Sequence, residues 1–452
     1  MEKVQTQQKS GNELKKILDV SFGIAVLVGG TIGVGILRTP GSIAVLLPNY
    51  WFIIGCWVFG GIYVLMGAAS VAELATMLPK AGGAYNYVKR AFGNYAGFIT
   101  GWFDYITYAI APAYFSIVIA EYLVVLFPSL TGYDTALALC CLGLFVLLHA
   151  GGVKNGSVAQ KIMSVIKVLF FLTLIIACFL FTGSKPESGT TALKDTAAAG
   201  GLFFGFIKSM QLIIGTYDGW MSVCFFAEED KNPSKNIPRS LFSGALIVMI
   251  IYVLLNIAVL NILPIATIAG STLAASDAAR VVFGDFSATL VVIIALFSLL
   301  SILNAHMMIP ARILFGLSRD GFFVNSGTAI NKGGTPLTAL VFSSLISFIL
   351  IIIGSFEQLF ALGAFMAISV LGLTFASLLK LRVKEPQLHR PFHAPGYPVT
   401  TIIVLLISIG LFIGFALSDH YNLLLIIGIV GISYPCFLLV QRINNKRESV
   451  KK

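Results

Sequence analysis

Charge is what this sequence has least of. Asp, Glu, Lys and Arg make up 11% of its 452 residues against 57% hydrophobic, whereas a soluble domain carries roughly a quarter charged residues. That shortage excludes a water-soluble globular protein and leaves a polytopic membrane protein. Enzyme signatures are missing too: the chain has no Gly-x-Ser-x-Gly elbow, no phosphate-cradling Gly-rich loop followed by Lys, and no His-rich metal cluster. No short filter motif recurs, which argues against a channel.

Cysteine is equally uninformative for chemistry. Cys56, Cys140, Cys141, Cys178, Cys224 and Cys436 all fall inside apolar runs without metal-ligand spacing, and they read as small packing residues. None lies in an expected outer loop, so no disulfide to an external partner is foreseen. No cleavable signal is visible either: residues 1–17 are polar and lead straight into a full-length span, which marks them as a solvated tail.

What the chain does have is twelve apolar runs, near 18–47, 50–78, 96–127, 135–150, 158–182, 201–227, 240–262, 286–316, 336–355, 357–380, 399–417 and 421–441. Most exceed the roughly 20 residues that a helix needs to cross a bilayer. The formal charge of +10 could suggest nucleic acid, but its placement reports topology. With the N-terminus inside, Lys and Arg collect on the cytoplasmic side. The outer loops then keep Lys185, Lys194 and Arg280, and the spans keep Arg38 and Lys208. That asymmetry places both termini in the cytoplasm of a multi-pass protein.

The most informative stretch is Val28-Gly29-Gly30-Thr31-Ile32-Gly33-Val34-Gly35-Ile36. Its four glycines make this the weakest part of the first run for regular helix, and a break at membrane depth survives only in protein or beside a watery cavity. A half-helix beginning near Gly33 would offer free N–H groups to an anion, while carbonyls of residues 29–32 would face a cation. A zwitterion suits both ends. Close helix packing is the alternative reading of the same glycines. A second interruption, Gly215-Thr216-Tyr217-Asp218-Gly219-Trp220, lies in the sixth run, and paired broken segments in two halves point to a transport site.

Three strings carry a family likeness. They are the glycine break of the first run, Ala72-Glu73-Leu74 with Pro79-Lys80-Ala81-Gly82-Gly83-Ala84-Tyr85-Asn86-Tyr87, and Tyr217-Asp218-Gly219-Trp220 followed by Glu228-Glu229-Asp230-Lys231-Asn232-Pro233-Ser234-Lys235-Asn236-Ile237-Pro238-Arg239. Together they resemble the amino acid-polyamine-organocation transporter superfamily, nearest its bacterial L-type amino acid exchanger branch. The resemblance implies an all-α membrane protein of twelve transmembrane helices. These form a 5+5 inverted repeat with helices one and six broken. Divided accordingly, 1–17 is a cytoplasmic tail, 18–200 repeat one, 201–398 repeat two, 399–441 the last two spans and 442–452 a second tail.

The resemblance also implies site roles. The substrate carboxylate would meet N–H groups of Gly33, Val34 and Gly35, and its ammonium the carbonyls of Thr31, Ile32 and Gly215, with Thr216 and Tyr217 adjacent. Gln160-Lys161-Ile162-Met163-Ser164-Val165-Ile166-Lys167 is similar to a string of sodium-independent members, in which the lysine stands where coupled relatives hold sodium. Lys167 would then join the carbonyls of Gly29 and Ile32 to the hydroxyl of Ser298. A snorkelling lysine is the other reading. Exchangers of large neutral amino acids place an aromatic where this chain has Gly215, so a larger or reshaped side-chain pocket is expected. No metal or other cofactor is implied.

Charged residues within spans are functional candidates by default. Asp218 could select dibasic substrates or cap the second half-helix. Trp220 reads as a packing aromatic, and Asp104 and Glu121 as hydrated residues near opposite ends of span three. His306 could relay protons or serve as an interhelical donor. Glu228 and Glu229 with Lys231, Lys235 and Arg239 form a mixed-charge cluster that would hold an inner gate, or a solvated loop. Pro264 to Phe286 would form an outer re-entrant helix. His389 and His393 have metal-like spacing, but Pro391 between them breaks the helix that would align them. The function expected is sodium-independent exchange of free amino acids across the plasma membrane, without nucleic acid and without a disulfide-linked accessory subunit. The alternative is a proton-coupled amino acid or polyamine symporter using Lys167 as its proton site.

Overall fold

The computed structural model describes residues 14–47, 49–183, 201–271, 273–284, 286–354 and 356–451. Most of the expected N-terminal tail, and Lys185 and Lys194, lie outside them. All regular structure among the described residues is helical. α1 (Val20–Thr31) and α2 (Val34–Leu46) are two parts of one path bent by 42°. α3 (Tyr50–Met77), a short α4 (Ala84–Phe92), α5 (Asn94–Leu126), α6 (Asp134–Ala150) and α7 (Val153–Leu180) follow. α8 (Gly201–Tyr217) runs into a 3-10 helix at Ser222–Glu229, then come α9 (Pro233–Ile262), the small α10 (Ile265–Ala269) and α11 (Ala274–Phe283), and α12 (Phe286–Arg319). The chain ends with α13 (Leu337–Ile353), α14 (Phe356–Lys384), α15 (Val399–Ser418) and α16 (His420–Lys451).

Eight of these helices are long and apolar enough to cross a bilayer, and the bent α1–α2 pair makes nine; α6 and α13 are shorter apolar helices. The protein is therefore a multi-pass membrane protein. Burial shows which helices build its centre. Of its most apolar window, α12 buries 78%, whereas α16 buries 17% and leaves Leu424, Ile427 and Ile432 to lipid. α1 packs against α7, α9 and α12, and α8 against α2 and α3. The interior polar groups thus gather around the two interrupted helices. The segment 264–286 forms two helices, of which α11 packs on α2, α7, α9 and α12.

The face where α1 begins is tied by ion pairs. Arg312 donates to Glu229 at 2.9 Å with both side chains at most 2% exposed, over the Phe226 ring. Arg319 meets Glu228 at 2.7 Å, and Glu228 also accepts from Ala81 N–H at 2.9 Å, fixing the Gly82–Gly83 turn. Lys89 pairs with Asp320 and Lys161 with Asp19, both at 2.9 Å. The acidic pair after α8 is therefore partnered by arginines of α12, and the Lys231 amide donates to Leu18 O. Glu73, fully buried, takes Arg382 (2.7 Å), Arg390 (3.2 Å) and the Ala394 amide (2.7 Å), anchoring the segment after α14. Next to it Arg90 grips Glu385 and holds its carboxyl below the usual carboxylate range.

Removing one partner of a buried pair leaves a charge without compensation, at a cost of about 3–5 kcal/mol. Glu229→Ala should therefore lower thermal stability in detergent sharply, whereas Arg319→Ala, at a half-exposed pair, should cost less than about 1 kcal/mol. Fluorescence-detected size-exclusion melts compare the two.

Candidate functional site

The site grows from two helices that stop early. α1 ends at Thr31, Ile32 and Gly33 are extended, and α2 restarts at Val34 with Gly33 as an N-cap that offers no side chain. A Cβ at Gly33 would come within 2.6 Å of Ile302 Cδ1, so glycine lets α12 close on the break. α8 ends at Tyr217, and Gly219 turns the chain with φ +98°. A Cβ there would sit 2.6 Å from Gly30 O. The two breaks touch backbone to backbone.

Freed carbonyls need donors at this depth. Lys167, 1% exposed, donates its ammonium to Gly29 O at 2.9 Å and to Ile32 O, and Ser298 Oγ reaches the same Ile32 carbonyl at 3.3 Å. Lys167 does not snorkel. One turn earlier, Gln160 and Ser164 donate to Ala25 O at 3.2 and 2.8 Å. Tyr252 of α9 shares its hydroxyl proton between Thr31 O (2.8 Å) and Thr216 O (3.0 Å), bridging the two breaks.

This bonding corrects part of the expected site. Ile32 O already accepts twice, which exhausts a carbonyl's lone pairs, so it cannot receive a substrate ammonium. Thr31 O and Gly215 O each have one donor, Tyr252 OH and the Asp218 amide at 3.3 Å, and keep a second lone pair. Tyr217 turns away, with its hydroxyl on Trp57 O at 3.2 Å. Asp218 caps no helix: the next segment is a 3-10 helix that starts at Ser222 with no side-chain cap. His306 places Nδ1 3.0 Å from Ile302 O of its own helix, and its ring borders the small cavity.

Thr31, Gly33, Gly35, Gly215, Thr216 and Asp218 do converge on one cavity of about 20 Å³. First-turn N–H groups of α2 have no partner within the helix, and they carry its positive end. Thr31 Oγ1 has no hydrogen-bond partner among the described residues. Tyr114, Phe115, Ile302, His306 and Phe360 complete the wall. His306 apart, these are aromatic and aliphatic residues, which in apolar spans look like core in a sequence. The pocket is not enlarged at Gly215. A Cβ there would meet Phe360 Cζ at 3.0 Å, so α14 supplies the aromatic that α8 lacks.

Beyond Phe360 and Gly35 lies a second cavity, of about 320 Å³, which also meets Arg38, Ser42, Gln211 and Asp419. A third, of about 420 Å³, adjoins it at Arg38 and Ser42. Arg38 pairs there with Glu121 at 2.8 Å and lies 5.8 Å from the Tyr122 ring centre. Asp104, by contrast, is not hydrated at a helix end: it is 6% exposed. Trp220 is buried.

A paired break with helix-start N–H groups on one side and carbonyls on the other has the donors and acceptors that match the two ends of a small zwitterion. Residues 21–434 match the family model described as amino acid permease. The chain belongs to the amino acid permease family. Among curated relatives of this permease, the serine/threonine exchanger SteT of Bacillus subtilis (strain 168) is 26% identical over 93% of this chain and 96% of its own length. The b(0,+)-type amino acid transporter 1 of Mus musculus is 28% identical over 90% and 84%. The Asc-type amino acid transporter 1 of the same organism is 28% identical over 84% and 72%.

Gly33→Val should weaken amino acid binding by at least about tenfold, because the added methyls must displace Ile302; scintillation proximity binding measures it. Gly215→Phe should eliminate binding by filling the cavity against Phe360. Adding Phe360→Gly should restore it with a changed side-chain preference in a competition panel of twenty amino acids.

Proposed function

We propose that this permease is a sodium-independent exchanger of free amino acids, working by alternating access around the breaks at 32–33 and 218–221. One observation carries the reading: the Lys167 ammonium is bound to the carbonyls that the first break releases, a place where a cation is needed and is supplied by the protein itself. A fixed cation removes the requirement for a sodium ion. Twelve spans arranged as two inverted repeats, 18–200 and 201–398, with 399–441 outside them, fit the helix order. Both termini then lie in the cytoplasm, and the ion-paired face at Glu229 and Arg312 is the cytoplasmic one. On this reading the site is sealed inward, and the cavities at Arg38 open to the exterior with Phe360 between them and the substrate.

The α2 N–H groups would take the carboxylate, and Thr31 O and Gly215 O the ammonium. Asp218, on the same cavity, favours a cationic substrate side chain as a second specificity. The name of one relative, an exchanger for serine and threonine, accords with small neutral substrates and with exchange. The segment 127–134 offers no cysteine, so no disulfide-linked accessory subunit is required.

Labelled amino acid uptake into proteoliposomes should be saturable, accelerated by unlabelled amino acid inside, and unchanged when sodium is replaced by choline. Lys167→Ala should slow it by about tenfold or more while expression persists, because Gly29 O loses its donor and Ile32 O keeps only Ser298. Uptake that needs a pH gradient and ignores internal substrate would instead make the protein a proton-coupled symporter.

A further inference from the structure

Asp218 also lines another cavity, of about 20 Å³, together with Asp104, Thr107, Tyr108 and Trp220 and with Val370 and its neighbours of α14. We propose that Asp104 and Asp218 hold one exchangeable proton here, which a cationic substrate side chain expels and a neutral substrate leaves in place. The proposal rests on the amino acid transport reading above.

Asp104 Oδ2 is buried and receives no hydrogen bond among the described residues, and Thr107 Oγ1 on the same cavity has no partner either. No Lys or Arg lines the cavity, and the nearby lysine, Lys167, is committed to Gly29 and Ile32. Two carboxylates that face one cavity without a counter-ion repel each other and carry a desolvation penalty, the larger for the buried Asp104. One proton between them removes a charge and supplies the donor that Oδ2 lacks. The space admits about one water molecule as a bridge.

Asp218 lines both cavities, so it is the element through which substrate and proton compete. With a neutral substrate the pair keeps its proton and one negative charge. With a cationic side chain beside Asp218 both carboxyls ionise, the proton leaves to water, and the sum of pair and side chain is again one negative charge. The same pocket thereby meets both substrate classes in one electrostatic state. Asp104 does not touch the substrate cavity and acts through Asp218 as a positioning residue.

The titratable groups facing the pair are hydroxyls, a thiol and an imidazole. Tyr87 comes from α4, Tyr108 and Tyr114 from α5, and Cys224 from the 3-10 helix. His306 of α12 stacks on Tyr108 with ring centres 5.4 Å apart. α13 has no ionisable side chain, and α14 presents Ala367, Val370 and Leu371.

The test uses the full-length protein and a labelled neutral amino acid found to bind. Lysine and serine are titrated as competitors between pH 5.5 and 8.5. The expected result is that lysine competes more strongly as pH rises, approaching about tenfold per pH unit for one displaced proton, while serine stays flat. In weakly buffered solution, wild-type protein should release close to one proton per lysine bound and none per serine. Asp104→Asn should flatten the lysine slope and Asp104→Glu should restore it, with neutral amino acid binding by each variant reporting that it is folded. Equal slopes for both competitors, lysine failing to compete at any pH, or an unchanged slope in Asp104→Asn would overturn the proposal. Should a variant not fold, the proton count on the wild type decides alone. If no amino acid binds, the transport reading fails first and takes this one with it.

Discussion

A peptide group released from its helix inside a bilayer has to find a partner, and that requirement organises this molecule. Stopping α1 at Thr31 frees carbonyls that no longer have a partner in their own helix. Lys167, Ser298 and Tyr252 come from three other helices to satisfy them. Those bonds recruit α7, α9 and α12 around the break, so the polar interior is also what fixes the packing of the bundle. The opposite edge of the same break, the first turn of α2, has N–H groups without partners inside their own helix, and it faces the small cavity. Structural and functional roles divide along the two sides of Ile32 and Gly33.

The closure of the site is lopsided. Toward the face where α1 begins, buried and half-buried ion pairs link α12 to the segment after α8, and the Leu18 backbone is hydrogen-bonded to that segment as well. Toward the opposite face, cavities of hundreds of cubic ångströms reach inward to Phe360. The site of about 20 Å³ has room for about one water molecule, and Phe360 and Ile302 border it. Small residues at the contact of the two breaks, Gly30 and Gly219, let the unwound segments touch without side chains between them.

Much of this was legible in the sequence because membrane insertion imposes rules that act locally. Low charge and long apolar runs declared the class, and glycine clusters declared where helix would fail. Lys167 declared itself because a charge at that depth is costly without partners. Those inferences need only one segment at a time. The engagement of Ile32 O, the turning away of Tyr217, the aromatic contributed by Phe360 and the pairing of Glu229 with Arg312 could not be read that way. Each depends on which helices meet and at what rotation, and apolar spans carry little sequence signal for either. The chain's own composition thus determined that helices cross, where they break and which charge sits among them. Only the tertiary packing decided which carbonyls are already satisfied and which remain open to a solute, because a lone pair is free or taken according to neighbours distant along the chain.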